Sequence, residues 1–330
     1  MIQKNSLISK SLKIKVGLTI GDPAGVGPAI ALKAWRMLKS GVELKIIGDG
    51  FVLEKAARLL KIRLPGSRII DLGNVERGKF SFGSSCAANG RASLEYLDAA
   101  LEMLKNGVID CMVTCPVSKD AVSMSGKRFF GHTEYLAEKT GSPETVMMLL
   151  NDRLRFSLLS RHIPLRKVSA SLTRAVIDKN VLITAKGLRE FFRIKKPKLV
   201  FCGLNPHASD NGLIGGEEQE IFIPAIKAIN RREGFPLVAG VLSADVAVSK
   251  AARGDFDCVV APYHDQALIA LKLTGPESGV NLTLGLPFIR TSPLHGTAFD
   301  IARRPALADP SSLADAIKLA VKCALNRKKV

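Results

Sequence analysis

Short apolar runs alternate with longer amphipathic segments along the 330-residue chain. Short apolar runs bounded by turn residues are typical of buried strands, and apolar residues three or four positions apart are typical of helices. Seven stretches have the strand pattern: 13–20, 42–50, 107–115, 154–160, 197–204, 237–245 and 257–263. Six have the helix pattern: 29–40, 53–61, 90–107, 175–192, 217–234 and 312–325. This alternation predicts an α/β fold with a mostly parallel sheet.

Three histidines directly follow predicted strands. His162 follows the run LRFSLLS, His207 follows PKLVFCGL and His264 follows DCVVAPY. Ligands of α/β proteins bind at the carboxyl ends of strands, and three neutral imidazoles with an open position are typical of a catalytic transition-metal site. A lone histidine is more often an ordinary surface or core residue. Three at equivalent strand ends favour a metal site.

A second polar set, Lys272, Asn281 and Arg290, lies between apolar stretches in the run ALKLTGPESGVNLTLGLPFIRTS. Lysine, arginine and an amide suit a phosphate or a carboxylate. All three can be ordinary surface residues, but a charge embedded among apolar residues needs a partner. The pattern therefore indicates an anionic ligand.

The segment GLTIGDPAGVGPAI joins a predicted strand to a predicted helix through a turn rich in glycine and proline. Gly21, Gly25 and Gly27 lack the G-x-G-x-x-G spacing of a Rossmann loop, and no lysine follows as in a P-loop. The segment is either a tight turn or a ligand-binding edge.

Composition limits the class of protein. Hydrophobic residues make up 47 % of the chain, enough for two lobes or one large α/β unit. No apolar run is long enough to span a bilayer, and the N-terminal residues 1–13 do not resemble a signal peptide. We therefore expect a cytoplasmic protein without a membrane partner. The six cysteines lie mostly among apolar neighbours and are expected to be free thiols.

The net charge of +18 is spread along the chain, and aromatic residues are only 5 %. Nucleic-acid binding usually requires a basic patch or stacking aromatics, and none of its common motifs is present. A nucleic-acid-binding protein and a non-catalytic metal protein remain the alternatives to an enzyme. The charge itself favours a small anionic ligand.

The motifs TIGDPAGVGP, TCPVSK, GHTEYLA, HIPLR, CGLNPHASDNG, AARGDFDCVVAPYHDQ and GVNLTLGLPFIRTS occur in this order from about residue 14 onward. In these motifs the chain closely resembles the 4-hydroxythreonine-4-phosphate dehydrogenase family of vitamin B6 biosynthesis. The resemblance implies a two-lobed fold like isocitrate and isopropylmalate dehydrogenases, not a Rossmann domain. It also implies a homodimer whose active site lies in a cleft at the subunit interface.

The resemblance also implies how the chain divides into lobes and which residues bind the metal and the substrate. Residues 1–128 plus 295–330 would form the first lobe, on the cofactor side, and 129–294 the second, with the metal and substrate motifs and the dimer interface. His162, His207 and His264 would bind one divalent metal per subunit, with zinc favoured and magnesium or cobalt as alternatives. The implied substrate-binding residues are His132, Thr133, Lys272, Asn281 and Arg290.

The resemblance implies that Asp245 is an acidic active-site residue. We expect Lys272 or Asp245, or a water between them, to be the catalytic base. The segment LHGTAFDIA is similar to the HGSAPDIA loop of the wider superfamily, which places NAD or NADP beside His295, Gly296, Thr297 and Ala298. The implied reaction is a metal-dependent oxidation of 4-phosphooxy-L-threonine to a β-keto acid, which decarboxylates to 3-amino-2-oxopropyl phosphate.

Some positions depart from the usual family pattern. They are Val246, Ala267, Leu294 and the turn Ser209-Asp210-Asn211. None of them removes an implied metal ligand or phosphate contact. They leave 4-phospho-D-threonate or 4-phospho-D-erythronate as alternative substrates.

Overall fold

The computed structural model describes residues 13–38 and 42–328. In these ranges the strands are β1 (Ile14–Thr19), β2 (Val42–Gly48), β3 (Ile69–Asp71), β4 (Cys111–Thr114), β5 (Val146–Leu150), β6 (Arg155–Leu158), β7 (Leu199–Cys202), β8 (Val238–Leu242), β9 (Cys258–Ala261), β10 (Val280–Leu284) and β11 (Ile289–Pro293). Some predictions concern residues outside these ranges. They are the absence of a signal peptide in residues 1–12, the end of the first predicted helix at 39–40 and the end of the first lobe at 329–330.

The same ranges contain α-helices and shorter helical turns. The α-helices are α1 (Gly27–Met37), α2 (Gly50–Leu60), α3 (Ala87–Lys105), α4 (Lys119–Met124), α5 (His132–Lys139), α6 (Val168–Ser171), α7 (Arg174–Phe192), α8 (Ile223–Glu233), α9 (Ala244–Ala252), α10 (His264–Thr274) and α11 (Ser311–Arg327). The shorter turns are Gly66–Arg68, Leu165–Lys167, Pro206–Gly212, Glu218–Phe222 and Pro305–Leu307. Of these, Glu218–Phe222 is π-helical.

The strands form one sheet in the order β3-β2-β1-β4-β11-β10-β5-β6-β9-β7-β8. Pairing is parallel except in the centre, where β11–β10, β10–β5 and β5–β6 are antiparallel. The two flanks of the sheet therefore point in opposite directions. A Rossmann sheet is wholly parallel with the order 3-2-1-4-5-6, so this fold is different, as predicted. The predicted mostly parallel α/β sheet is confirmed.

The flanking strands are buried on both faces because helices cover them. All four residues of β4 and of β9 are buried, as expected for parallel strands between helical layers. Along β7, Leu199 and Phe201 enter one hydrophobic cluster, whereas Val200 and Cys202 enter another on the opposite face. This alternation follows the two-residue period of a strand.

Helix α11 lies against the central strand β11. Thr291 Oγ1 donates a hydrogen bond of 2.8 Å to the Ala316 carbonyl. Small residues on the helix face, including Ala316 and Ala320, allow this close approach and are fully buried. Because α11 covers one face of the strand, the neighbouring side chain Arg290 points to the other face.

Candidate active site

A cleft of about 310 Å³ lies over the antiparallel centre of the sheet. It brings together residues from motifs that are far apart in sequence. They include Lys119, His132, His162, Asn281, Arg290 and His295. Most of the predicted site residues therefore share one cavity.

Strand register explains why the polar residues of β10 and β11 meet. Asn281 pairs with Ser292, and Thr283 pairs with Arg290. Residues two apart on a strand, and residues paired across strands, lie on the same face of the sheet. These four side chains therefore form a polar patch at the bottom of the cleft.

Arg290 is the most unusual residue of the patch because its side chain is only 2 % exposed. Its Nε and Nη2 donate to Thr114 Oγ1 at 3.2 and 2.7 Å, and its Nη1 donates to Thr283 Oγ1 at 3.1 Å. Burial lowers the pKa of Arg290 to about 9. Among the described residues it forms no ion pair with a carboxylate. A buried cation bonded only to hydroxyls is suited to an anionic ligand.

His132 and Thr133 begin helix α5 beside this arginine. Thr133 Oγ1 lies 3.5 Å from Thr283 Oγ1. Burial, followed by the charge of Arg290, holds the pKa of His132 well below its usual range, so its ring is neutral. The buried atoms His132 Nε2, Asn281 Oδ1 and His295 Nε2 have no hydrogen-bond partner. Unpartnered buried polar atoms around one cleft indicate that a ligand satisfies them.

His162 and His264 approach each other because β6 and β9 are adjacent parallel strands. Their ring centroids are 5.4 Å apart. His264 Nδ1 lies 2.8 Å from Asp265 Oδ1, which leaves Nε2 as the free ring nitrogen. Partial burial and the charge of Lys119 lower the pKa of His162. Two neighbouring imidazoles suit a borderline metal such as zinc or cobalt.

His207 does not join this pair within one chain. It follows β7, the neighbour of β9, but its exposed side chain lies in the turn Pro206–Gly212. Within the described part of one chain, no three His, Cys, Asp or Glu side chains are arranged to hold a metal ion. The donor chemistry of the three predicted ligands fits a divalent metal, but one chain brings only two of them together.

The two candidate bases lie outside the lining of the cleft. Asp245 is exposed at the start of α9, and a hydrogen bond from Ser243, followed by one from the Val246 amide, lowers its pKa. Lys272 lies near the end of α10, where its Nζ donates to the Pro276 carbonyl at 3.2 Å. The structure of one chain brings neither of them to Arg290.

The predicted cofactor loop, His295 to Ala298, follows β11 and packs against the glycine-rich turn after β1. The Val26 amide donates to the Thr297 carbonyl at 2.9 Å. A Cβ at Gly25 would lie 2.8 Å from that same oxygen. The glycine-rich segment is thus a tight turn. The absence of a side chain at Gly25 allows the Thr297 carbonyl of the cofactor loop to pack against it.

Buried Asp22 anchors the glycine-rich turn. Its Oδ1 accepts from the Ala24 amide at 2.9 Å, while its Oδ2 has no partner. Its own amide donates to the Pro116 carbonyl at 2.8 Å, and the Gly83 amide donates to the Ala24 carbonyl at 2.8 Å. Burial raises the pKa of Asp22 to about 6.

Sequence reasoning missed several polar residues of the cleft. Lys119 lines it and influences both His132 and His162 electrostatically, and Thr114 and Thr283 bind Arg290. The signal for Lys119 was the motif TCPVSK, which places a lysine shortly after the strand 107–115. The two threonines gave no signal, because each sits inside an apolar run.

Fold and cleft together define an α/β enzyme with an anion-binding cleft beside a pair of histidines. The family model described as pyridoxal phosphate biosynthetic protein PdxA matches residues 41–320. The chain belongs to this family. Among the described residues, no helix is both long enough and apolar enough to cross a membrane.

Similar proteins have dehydrogenase names. The 4-hydroxythreonine-4-phosphate dehydrogenase of Sulfurihydrogenibium sp. (strain YO3AOP1) is 41 % identical, over 93 % of this chain and 98 % of its own. The D-threonate 4-phosphate dehydrogenase of Cupriavidus necator is 39 % identical, over 94 % and 98 %. The crystal structure of 4-hydroxythreonine-4-phosphate dehydrogenase from Klebsiella pneumoniae has a TM-score of 0.85 and 32 % identity, over 96 % and 99 %.

Proposed function

We propose that this chain is an NAD- or NADP-dependent dehydrogenase of 4-phosphooxy-L-threonine. The observation that carries the proposal is the buried Arg290, bonded only to hydroxyls, in a cleft with unpartnered atoms of His132 and Asn281. A phosphate group accepts from the guanidinium, and hydroxyl or amino groups elsewhere on the substrate donate to Asn281 Oδ1 and His132 Nε2. Relatives about 40 % identical over nearly the whole chain carry the matching enzyme name.

The substrate phosphate binds to Arg290 and Asn281. Lys272 binds it from the second chain of the dimer, because one chain does not bring Lys272 to Arg290. His132 and Thr133 contact the rest of the substrate from the start of α5. Holding the phosphate away from the reacting carbon orients that carbon without taking part in the chemistry. The neutral ring of His132 can donate or accept a hydrogen bond without adding charge to the cleft.

The metal site requires two chains, and this is our reason for proposing a homodimer. His162 and His264 of one chain supply two neutral nitrogens, and His207 of a second chain supplies the third. When bound, the divalent metal would lower the pKa of the substrate hydroxyl that it coordinates. Zinc suits three imidazoles best, with cobalt or magnesium as alternatives.

Exposed apolar side chains around the histidines support the second chain. Leu165 follows His162 and is 70 % exposed, and Leu213 follows the His207 turn and is 84 % exposed. Ile269 and Leu273, on the helix that begins with His264, are 62 % and 81 % exposed. An exposed apolar patch on a monomer usually marks an interaction surface.

Lys272 or Asp245 removes the proton of the substrate hydroxyl. The lowered pKa of Asp245 keeps it ionised but makes it a weaker base. When bound, NAD or NADP would supply the hydride acceptor for the carbon that carries this hydroxyl. The loop His295 to Ala298 holds NAD or NADP, on the side of the lobe formed by 1–128 and 295–330. The resulting β-keto acid then loses carbon dioxide.

The second candidate function is oxidation of 4-phospho-D-threonate or 4-phospho-D-erythronate. It is favoured by the D-threonate 4-phosphate dehydrogenase name of the Cupriavidus necator relative. The measurement is cofactor reduction with each substrate, using matched concentrations of NAD and of NADP. A higher kcat/KM for the threonine derivative is expected. A higher value for either sugar acid would assign the second function.

Mixed dimers test the shared metal site. His162→Ala and His207→Ala chains are each expected to be inactive alone. After the two are unfolded and refolded together, about half of the dimers are mixed, and each mixed dimer has one intact site, so about a quarter of wild-type activity should return. A mixture as inactive as its two components would contradict a site built from both chains. A mixture of His162→Ala with His264→Ala chains is the control and should stay inactive.

A further inference from the structure

The turn that carries His207 has an unusual backbone. Residues 207 to 211 are His, Ala, Ser, Asp and Asn, and all have φ between 45° and 66°. Such left-handed conformations cost roughly 1–2 kcal/mol per residue for side chains other than glycine. A turn of this kind persists only when surrounding contacts hold it.

A buried carboxylate holds the entry to this turn. Glu218 is only 1 % exposed. Its Oε1 accepts from the backbone amide of Asn205 at 2.8 Å, and its Oε2 accepts from Asn205 Nδ2 at 2.9 Å. Within the described residues it has no ion pair, so these two hydrogen bonds offset the cost of burying its charge. Asn205 is therefore fixed two residues before His207.

A second carboxylate connects the same asparagine to the segment after His162. Glu217 Oε2 accepts from Asn205 Nδ2 at 2.8 Å, and its Oε1 accepts from Ser169 Oγ at 2.6 Å. Ser169 lies in α6, shortly after the loop that begins with His162. The hydrogen bonds from Ser169 and Asn205 also lower the pKa of Glu217.

The third histidine is tied to the same short stretch. Gln266, near the start of the helix that begins with His264, donates from Nε2 to the Gly203 carbonyl at 3.0 Å. Residues 203–205, just before His207, are thus hydrogen-bonded directly to the segment of His264 and, through Glu217, to the segment of His162. None of these contacts involves the cleft over β10 and β11.

We propose that Asn205, Glu217 and Glu218 form a clamp that positions His207 for metal binding. The inference rests on the proposed function, since the metal belongs to that proposal. The three residues are positioning residues, because they act through the backbone of the turn and not on the substrate. Loss of such an outer partner typically lowers metal affinity by about 10- to 100-fold.

Two substitutions weaken the clamp in different ways. In Glu218→Gln, only one side-chain oxygen remains to accept from the two Asn205 donors, the backbone amide and Nδ2. The other donor then faces the NH₂ group of the new glutamine, which cannot accept. Asn205→Ala removes the Nδ2 bonds and keeps the backbone bond to Glu218. Glu220→Gln is the matched control, because Glu220 is exposed in the same π-helical turn and loses the same charge.

Two measurements on the full chain test the clamp. The first is zinc affinity, by competition with a chromophoric chelator. The second is amide hydrogen exchange of residues 203–214 in the metal-free protein. Both clamp variants are expected to bind zinc about 10-fold or more weakly and to exchange faster in this segment, with Glu220→Gln unchanged. High zinc concentration should restore turnover in Glu218→Gln but not in His207→Ala.

Unchanged zinc affinity and unchanged exchange in both clamp variants would overturn the proposal. If Glu218→Gln does not fold, judged by circular dichroism, Asn205→Ala alone decides. Failure of the proposed function has a different signature. If His207→Ala binds zinc as tightly as the wild type, the metal assignment is wrong, while the exchange of the metal-free clamp variants still shows whether the clamp holds the turn.

Discussion

At the scale of single residues, burial determines the chemistry of the cleft. It lowers the pKa of Arg290 and of His132, and it leaves polar atoms of His132 and Asn281 without partners. Each of these states is costly in the protein alone. All of them are relieved by one ligand that carries negative charge for Arg290 and hydroxyl or amino donors for Asn281 Oδ1 and His132 Nε2.

Replacing Arg290 by lysine tests the role of the guanidinium. Arg290→Lys keeps the charge but loses the geometry that reaches both Thr114 and Thr283. The substrate KM should rise by about 30-fold, corresponding to roughly 2 kcal/mol for a buried charged contact, while the KM for NAD changes little. Steady-state kinetics with each ligand varied in turn measures this. Arg304→Lys, on the exposed surface, is the control, and an equal rise in both KM values would contradict a phosphate role.

Asp22 makes stability depend on pH. Its pKa is about 6 in the folded chain against 3.8 unfolded, so the folded state binds more protons between these values. Its contribution to stability is therefore greatest below about pH 4 and falls as pH rises through 6. Asp22→Asn changes the free energy of unfolding by a different amount at each pH. The change should be about 1–3 kcal/mol more stabilising at pH 8 than at pH 4.5, because the wild-type carboxyl is ionised and buried at pH 8. Urea unfolding at both pH values is the measurement, and an equal effect at both would contradict the prediction.

At the scale of elements, the sequence predicted the flanks of the sheet better than its centre. All seven predicted strands are present, because parallel strands between helices read as continuous apolar runs. The strands β3, β5, β10 and β11 were missed, of which β3 is a three-residue strand at the edge of the sheet and the others form its centre. Their register depends on pairing between distant segments, and Asn281 and Arg290 inside two of them interrupt the apolar pattern. Periodicity alone cannot assign such short runs.

The histidines show the same limit. Adjacent parallel strands bring His162 and His264 together as strand-end reasoning expected. His207 lies elsewhere because its turn is set by side-chain contacts with Glu218, which no local pattern reveals. The sequence therefore identified site residues that follow strands. It could not predict how far apart these residues lie in the folded chain.

The packing of the glycine-rich turn on the cofactor loop gives a prediction at this scale. Gly25→Ala places a Cβ against the Thr297 carbonyl, so the loop must move by a few tenths of an ångström or more. The KM for NAD should rise by about 10-fold, since overpacking typically costs about 1–3 kcal/mol, with a smaller change in substrate KM. Gly66→Ala, where a Cβ meets nothing within 4 Å, is the control. A larger effect on substrate than on NAD would argue against a cofactor role of this loop.

At the scale of the whole molecule, the sheet reverses direction at its antiparallel centre. The strands before His162 and His264 therefore run opposite to β4 and β11, and His162 reaches the cleft from the opposite edge of the sheet. The histidine pair lies at one flank of the sheet, whereas the anion-binding patch lies on the antiparallel central strands β10 and β11. The three most exposed large apolar side chains, Leu165, Leu213 and Leu273, lie in the histidine flank, which is where we place the second chain.

A charge on that surface tests the dimer. Leu273→Glu introduces a carboxylate at an 81 % exposed position on α10, and a charge buried in an interface is strongly unfavourable. Sedimentation should show a shift from dimer to monomer, with loss of bound zinc. Leu59→Glu, at a 50 % exposed position on α2, is the control and should leave the assembly unchanged. A dimer that persists in Leu273→Glu would place the interface elsewhere.

The hydroxyl partners of Arg290 have a practical consequence. Because Thr114 and Thr283 supply no negative charge, the guanidinium attracts whatever small oxyanion the solution contains. Phosphate and sulfate buffers should act as competitive inhibitors, and kinetic constants measured in them would understate affinity for the substrate. Activity assays of this enzyme therefore belong in buffers whose anions are large or monovalent.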